Sequence, residues 1–269
     1  MKTKVNIAVI GCGYWGKNLI RNFHKMNCLY SVTDNLSIQA NKFAKKYNVK
    51  KLSFEEVIQD ENIKGVVVAT PTNSHYKILS KLLLTNKYIF IEKPMVSNIS
   101  EALTIKKKFK KKLKNIFVGH LLHYHPILIK IKKILKNKKI LNISSERKNF
   151  GKFRNYEDVI WSFAPHDISI ILSLIKTMPS TVKSNKTFVI NKKISDKATI
   201  DLNFNKKINA HINISWLEPE KKHELIIQTE KFFLVFNDTL KWEEKLSRYD
   251  YKISKNLKKT KISNKFIKV

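Results

Sequence analysis

The chain has 269 residues, 43% of them hydrophobic, and a formal net charge of +32 from 53 basic and 21 acidic side chains. That length holds one large domain or two smaller ones with a sizeable core, and no apolar run reaches the roughly 18 residues of a membrane span. Two cysteines, Cys12 and Cys28, make no disulfide framework, and the first strand starts too early to leave room for a signal peptide, so a cytosolic protein is expected.

In chain order, the first 120 residues alternate strand and helix. Residues 5–10 are apolar and β-branched, 17–26 carry a helical stripe, and 29–33 form a strand that closes at Asp34. Helices follow at 38–47 and 54–58, the second with Ser53 placed to cap it. Strands at 65–69, 88–91 and 116–118 enclose helices at 75–84 and 101–113. Short apolar strands alternating with helices predict a parallel sheet covered on both faces.

After residue 120 the rhythm changes. Helices are predicted at 126–135 and 165–175. Strands are predicted at 140–147, 180–189, 198–204, 208–216, 224–229 and 232–237, with Asn205, Lys206 and Lys207 as a hairpin link. Successive strands with tight connections predict an antiparallel sheet. The organisation expected is a nucleotide-binding domain at 1–120, an α+β domain at 121–250, and a lysine-rich, loosely ordered tail at 251–269.

The charge invites a nucleic-acid reading, which the residue types oppose. All but four of the basic residues are lysines; the arginines are Arg21, Arg147, Arg154 and Arg248. Arginine is the residue suited to bidentate phosphate and base contacts. The lysines are also spread along the chain, and the densest run, 106–114, falls on a helix whose Ile105, Phe109 and Leu113 form a buried stripe. Lysine, isoleucine and asparagine are abundant together, as A- and T-rich codons make them. A solvated basic surface is expected, attractive to polyanions and anionic substrates without a specific nucleic-acid site.

The strand at 5–10 runs into Gly11-Cys12-Gly13-Tyr14-Trp15-Gly16, in G-x-G-x-x-G spacing between a strand and a helix. Gly11 serves the sharp turn, Gly13 the approach of a pyrophosphate to bare backbone, and Gly16 the close packing of the helix. Asp34 follows 18 residues after Gly16. A carboxylate there accepts the adenosine ribose hydroxyls and repels a 2′-phosphate, which favours NAD over NADP.

Thr70-Pro71-Thr72-Asn73-Ser74-His75 leaves the strand at 65–69 on the same edge. Thr70 and Asn73 either touch the cofactor or serve the turn, with Asn73 or Ser74 capping the next helix. Glu92-Lys93-Pro94 leaves the strand at 88–91. Lys93 is either a solvated charge or a cation and proton donor at the crevice. His166, after Pro165, is expected in the first turn of its helix, either as a structural histidine or as a neutral imidazole that accepts a proton from an alcohol. His120 follows the strand at 116–118 and borders the crevice. His120, His123 and His125 lack metal-ligand spacing, so no metal site is expected.

Together these segments resemble the glucose–fructose oxidoreductase, inositol dehydrogenase and rhizopine-catabolism family (Gfo/Idh/MocA). The matching pieces are residues 11–18, 70–75, Glu92-Lys93-Pro94, Val118-Gly119-His120 and Ala164-Pro165-His166-Asp167-Ile168, in family order. The resemblance implies a Rossmann, doubly wound parallel domain followed by an α+β domain on a mostly antiparallel, open-faced sheet. It implies an NAD(P)-dependent dehydrogenase acting on CH–OH groups, moving a hydride between nicotinamide and a sugar or nucleotide sugar, with surface-polysaccharide biosynthesis as the setting. Lys93 and His166 are then the catalytic pair. Gly11, Gly13, Tyr14, Trp15, Gly16, Asp34, Thr70, Asn73, His75, Glu92 and Lys93 are the cofactor set, and His120, Arg147 and Asp167 the substrate set. A homo-oligomer through the C-terminal sheet is expected.

Two departures stand out. The family commonly has an aspartate four residues before the histidine, where this chain has Ser162, leaving Asp158 or Asp167 as the carboxylates nearby. Relatives also extend some tens of residues further, to a helix that returns to the first domain. Both motivate the alternative of a non-catalytic NAD-binding protein.

Overall fold

The computed structural model describes residues 5–151, 153, 157–204, 207–253 and 260–269. The chain divides into two compact units, Met1–His120 and Leu121–Val269.

The first unit is a six-stranded sheet. In chain order its elements are β1 (Asn6–Ile10), α1 (Gly16–Lys25), β2 (Leu29–Thr33), α2 (Ser37–Tyr47), β3 (Lys50–Lys51), α3 (Phe54–Gln59), β4 (Ile63–Val68), α4 (Thr72–Leu82), β5 (Tyr88–Ile91), α5 (Ile99–Lys108) and β6 (Ile116–Val118). The strand order is β3-β2-β1-β4-β5-β6, and every neighbouring pair is parallel. Val66, Val67 and Val68 of β4 and Ala8, Val9 and Ile10 of β1 are all buried, as a central parallel strand requires. Because β1 pairs with β2 on one side and β4 on the other, the order reverses there. A crevice forms at such a reversal, beyond the carboxyl ends of the strands.

The ladder runs one residue past the strands. Gly11 N–H donates to Thr33 O at 2.8 Å, Ala69 N–H to Ile10 O at 2.8 Å, Glu92 N–H to Val68 O at 3.0 Å and Gly119 N–H to Ile91 O at 2.8 Å. The exit residues of β1, β4, β5 and β6 therefore sit side by side along the crevice edge. The helix expected over 101–113 ends at Lys108, and a 3-10 turn over Lys110–Asn115 completes the link to β6. Phe109 and Leu113 still pack on the core beside buried Ile105.

The second unit opens with a 3-10 turn, Leu121–Tyr124, and α6 (Pro126–Ile134). It continues with β7 (Ile140–Phe150), α7 (Val159–Ile175), β8 (Thr181–Thr187), β9 (Lys197–Phe204), β10 (Ile208–Ser215), β11 (Leu217–Thr229), β12 (Phe232–Asn237), β13 (Leu246–Ile253) and β14 (Thr260–Phe266). The strand order is β14-β13-β12-β11-β7-β10-β9-β8. All pairs are antiparallel except β7 with β10, which is parallel. Alternation sets the faces. Ala198, Ile200, Leu202 and Phe204 of β9 and Ala210, Ile212 and Ile214 of β10 join buried residues of α6 and α7 in one core. The opposite face carries polar partners such as Asp201 and His211, 2.7 Å apart.

Two expectations about this unit change. The tail expected to be loose from residue 251 contains β14, paired along its length with β13. An edge strand needs only a row of backbone partners, so its side chains can stay exposed, as Ile262 and Phe266 are. The helix expected from Pro165 starts at Val159, because the Asp158 carboxylate accepts the Trp161 N–H at 3.1 Å and caps it there. Strands β9 and β10 pair as a hairpin, whereas Asn205 and Lys206 of its expected link lie outside the described residues.

Helix α3 shows how locally some of this is encoded. Ser53 Oγ accepts the Glu56 N–H at 3.2 Å, and Glu56 Oε2 accepts the Ser53 N–H at 2.6 Å, a reciprocal capping box. Ser53→Ala is expected to destabilise the protein by about 1 kcal/mol, read as a lower urea midpoint of the full chain, with Ser53→Asp retaining the wild-type value.

Candidate active site

The glycine loop leaves β1 with Gly11 at φ +98°. A Cβ on Gly11 would lie 2.5 Å from Ala69 O, and one on Gly16 only 1.9 Å from Gly11 O. These two glycines are demanded by the protein's own packing. Gly13 differs: a Cβ there would meet nothing within 4 Å. Its backbone is open where a phosphate would approach the first turn of α1.

Asp34 is tied to the same loop. Its Oδ2 accepts the Cys12 N–H at 2.7 Å and its Oδ1 the Leu36 N–H at 2.8 Å. A carboxylate has about four lone-pair sites, so capacity remains for ribose hydroxyls. The residues present thus fit a dinucleotide. Burial, with the Asp34 charge second, pushes the Cys12 thiol up to about 12, so it stays protonated beside the loop.

Beyond β5, Glu92 faces the loop from the other side. Its Oε1 accepts the Trp15 indole N–H at 2.7 Å, and its Oε2 accepts the Lys93 N–H at 3.3 Å. A Cβ on Gly119 would lie 3.1 Å from its carboxylate, a close approach that would oblige the carboxylate to shift by a few tenths of an ångström. Burial raises the Glu92 pKa, against the lowering effects of Trp15 and Lys93. Burial, and then the Lys93 charge, lower the His120 pKa. The ends of β1, β5 and β6 therefore bring together Trp15, Glu92, Lys93 and His120. Tyr14 stands exposed beside them, with the Lys17 ammonium 4.8 Å from its ring.

The loop after β4 is placed differently from expectation. Helix α4 starts at Thr72 with Pro71 in the capping position and no side-chain cap, so neither Asn73 nor Ser74 caps it. Ser74 Oγ instead donates to Thr70 Oγ1 at 2.7 Å, and Asn73 is exposed in the first turn. His75, expected among the cofactor contacts, is 1% exposed. Its Nδ1 lies 2.9 Å from Pro94 O and its Nε2 2.9 Å from Thr70 O. Both ring nitrogens are taken by carbonyls, so the side chain staples the β4 and β5 exit loops together.

In the second unit, His166 lies in the interior of α7, one position after Pro165. The helix-end argument for it does not apply, because that field fades within the first turn. Ser162 is buried and one turn earlier on the same face. Asp158 caps the helix and also accepts from Lys186 at 3.0 Å and Ser195 at 3.2 Å.

Asp167 and Arg147, expected at the substrate, form a buried ion pair instead, with side chains 4% and 14% exposed. They pair on the face of the sheet that α7 covers. His223, which the sequence reading missed, lies opposite Arg147 in the β7–β11 register. It lines a cavity of about 20 Å³ with Arg147, Asp167, Glu224 and Asp238. Burial first, then the Arg147 and Lys221 charges, push its imidazole down to about 4. Only the pairing of strands far apart in sequence reveals it. His125 caps α6 through Nδ1. Among the described residues, no cluster of three or more His, Cys, Asp or Glu could hold a metal ion.

The first unit is thus a Rossmann domain with a dinucleotide loop, and the second an α+β unit on a mostly antiparallel sheet. Residues 5–120 match the family model described as "Oxidoreductase family, NAD-binding Rossmann fold", and this N-terminal unit belongs to that family, Gfo/Idh/MocA. Among curated relatives, the chain is similar to scyllo-inositol 2-dehydrogenase (NAD(+)) of Bacillus subtilis, 30% identical over 132 residues, 47% of this chain and 38% of that protein. It is also similar to Oxidoreductase P35 of Formosa agariphila, 28% identical over 162 residues, 58% of this chain and 50% of that protein. The matches thus span half or less of these relatives' length. Among solved structures, UDP-N-acetylglucosamine 3-dehydrogenase of Acidithiobacillus ferrooxidans superposes with a TM-score of 0.85 at 19% identity, covering 98% of this chain and 82% of that one.

Two measurements probe these assignments. Gly13→Val is expected to keep the fold and cut NADH affinity at least about tenfold, some 1.4 kcal/mol, in a fluorescence titration, whereas Gly16→Ala lowers the thermal midpoint itself. For His223, the folded form stays neutral down to about pH 4, while the unfolded chain takes up its proton near 6.5. Stability is therefore expected to fall as pH drops from 6.5 towards 4, and His223→Gln to make that fall shallower in urea titrations across the range.

Proposed function

We propose that this chain is an NAD-dependent dehydrogenase that moves a hydride between nicotinamide and a CH–OH carbon of a sugar or nucleotide sugar. The observation that carries this reading is the crevice edge of the first unit. There Asp34 and open Gly13 suit a dinucleotide, and Lys93 stands beside Glu92 and Trp15 with its charge felt at His120. Asp34 favours NAD over NADP, since a 2′-phosphate would meet its carboxylate. The relatives named above act, by their names, on scyllo-inositol and on UDP-N-acetylglucosamine, both rich in ring hydroxyls. That supports a cyclic polyol or sugar substrate; surface-polysaccharide biosynthesis in the cytosol is the setting we propose for it. A homo-oligomer through the open face of the second unit's sheet completes the proposal.

Bound NAD supplies the hydride acceptor at its nicotinamide ring. In our reading Lys93, as an ammonium, stabilises the alkoxide that develops as the hydroxyl proton leaves. His166 takes that proton as general base, worth roughly 10²–10⁴-fold, and returns it in the reverse direction. His120 borders the same edge and contacts substrate.

A second reading, a non-catalytic NAD-binding protein, is favoured by Ser162 and by the engagement of Asp158 and Asp167 elsewhere. The two part on one set of assays. NADH binding is measured by fluorescence, followed by a screen of inositols and nucleotide sugars for turnover by NADH absorbance. Binding without turnover on any of them sinks the dehydrogenase reading. With a substrate in hand, Lys93→Ala is expected to lower kcat by roughly 10²–10³-fold, the size of losing one donor to a developing oxyanion. Unchanged kcat would overturn the role given to Lys93.

A further inference from the structure

Helix α7 carries His166, and its neighbour Asp167 is the one charged side chain that the helix turns inward against the sheet. Its carboxylate receives three hydrogen bonds from β7. Ser145 Oγ donates to Oδ1 at 2.8 Å, Arg147 Nε to Oδ2 at 2.8 Å and Arg147 Nη2 to Oδ1 at 3.1 Å. The guanidinium is bidentate, which fixes direction as well as distance. Apart from the small hydroxyl of Ser162, the other buried groups along this stretch, Val159, Ala164, Ile170 and Ile171, are apolar, and apolar contacts tolerate small slides and rotations. Pro165 adds a local weakness, because it has no N–H for the Trp161 carbonyl one turn earlier. The helix is thus least held by its own ladder immediately before His166, and most firmly held by side chains immediately after it.

We infer that Asp167, gripped by Arg147 and Ser145, is a positioning residue that sets the rotation of α7 and so the aim of the His166 imidazole. This rests on the reading of His166 as the proton acceptor. The geometry indicates the sensitivity. Side-chain tips lie about 5–6 Å from a helix axis, so a 10° rotation moves the imidazole by about 1 Å. A displacement of that size costs on the order of 10²-fold in rate.

The test uses the full chain and three readouts: thermal midpoint, kcat and KM on the best substrate of the screen, and the NMR signals of the His166 imidazole, assigned with His166→Gln. Asp167→Asn is expected to lower kcat by about 10²-fold with KM within about threefold and to shift or broaden the His166 signals. The double variant Arg147→Met/Asp167→Leu replaces the pair with apolar bulk, which can recover stability at such sites. It is expected to regain the thermal midpoint while kcat stays low. Recovery of kcat along with the midpoint would reduce Asp167 to a folding role and overturn the inference. So would His166 signals in Asp167→Asn that superimpose on wild type. If the wild-type protein binds NADH but turns over nothing, the dehydrogenase reading fails, and the imidazole signals alone decide the positioning role.

Discussion

The carbonyl of Ala69 leaves no room for a side chain on Gly11. That contact governs the first unit. The chain leaves β1 at φ +98°, its N–H bound to Thr33 O, and a Cβ would meet Ala69 O at 2.5 Å. The turn then brings the Cys12 N–H onto Asp34 and the Trp15 indole onto Glu92. Carboxylates from two different strand exits thus grip one six-residue loop. Each hydrogen bond of this kind is worth only about 1–3 kcal/mol, but together they leave the loop few alternative shapes. A dinucleotide meets a backbone already arranged for it.

The second unit solves a different problem. Its eight-stranded sheet buries one face under α6 and α7, and the apolar alternation of β9, β10, β11 and β12 supplies most of that core. Within it lies a small polar island of Ser145, Arg147, Asp167 and His223. A buried ion pair of this kind adds little net stability over an apolar replacement. What it adds is direction, since a bidentate pair is satisfied in one geometry. Among the described residues the one buried lysine, Lys87, sends its ammonium to the Asp60 and Ile63 carbonyls, and burial lowers its pKa.

Where the sequence was read correctly, the signal was local. The strands at 29–33, 88–91 and 116–118, the Ser53 cap and the glycine loop each rest on residues within one turn or one strand, and the structure has them there. The misreadings share a cause as well. Asp158 outcompeted Pro165 as the start of α7 because a capping carboxylate satisfies N–H groups that proline merely lacks. Strand β14 was missed because an edge strand needs a neighbour's backbone more than an apolar pattern of its own. That His75 staples two exit loops and that Arg147 and Asp167 clamp each other is not written in consecutive residues, because their partners come from other elements.

By itself, then, the order of residues determined the first unit's parallel, doubly wound plan, the glycine loop, and the placing of Asp34 and Lys93 at strand ends. Alternation of period two, helical stripes and glycine spacing are written in consecutive residues, and elementary sterics read them directly. The tertiary structure alone decided which polar side chains border the crevice edge and which are consumed by the protein's own packing. That choice depends on which distant backbone or side-chain groups are left needing a partner once the sheets have closed.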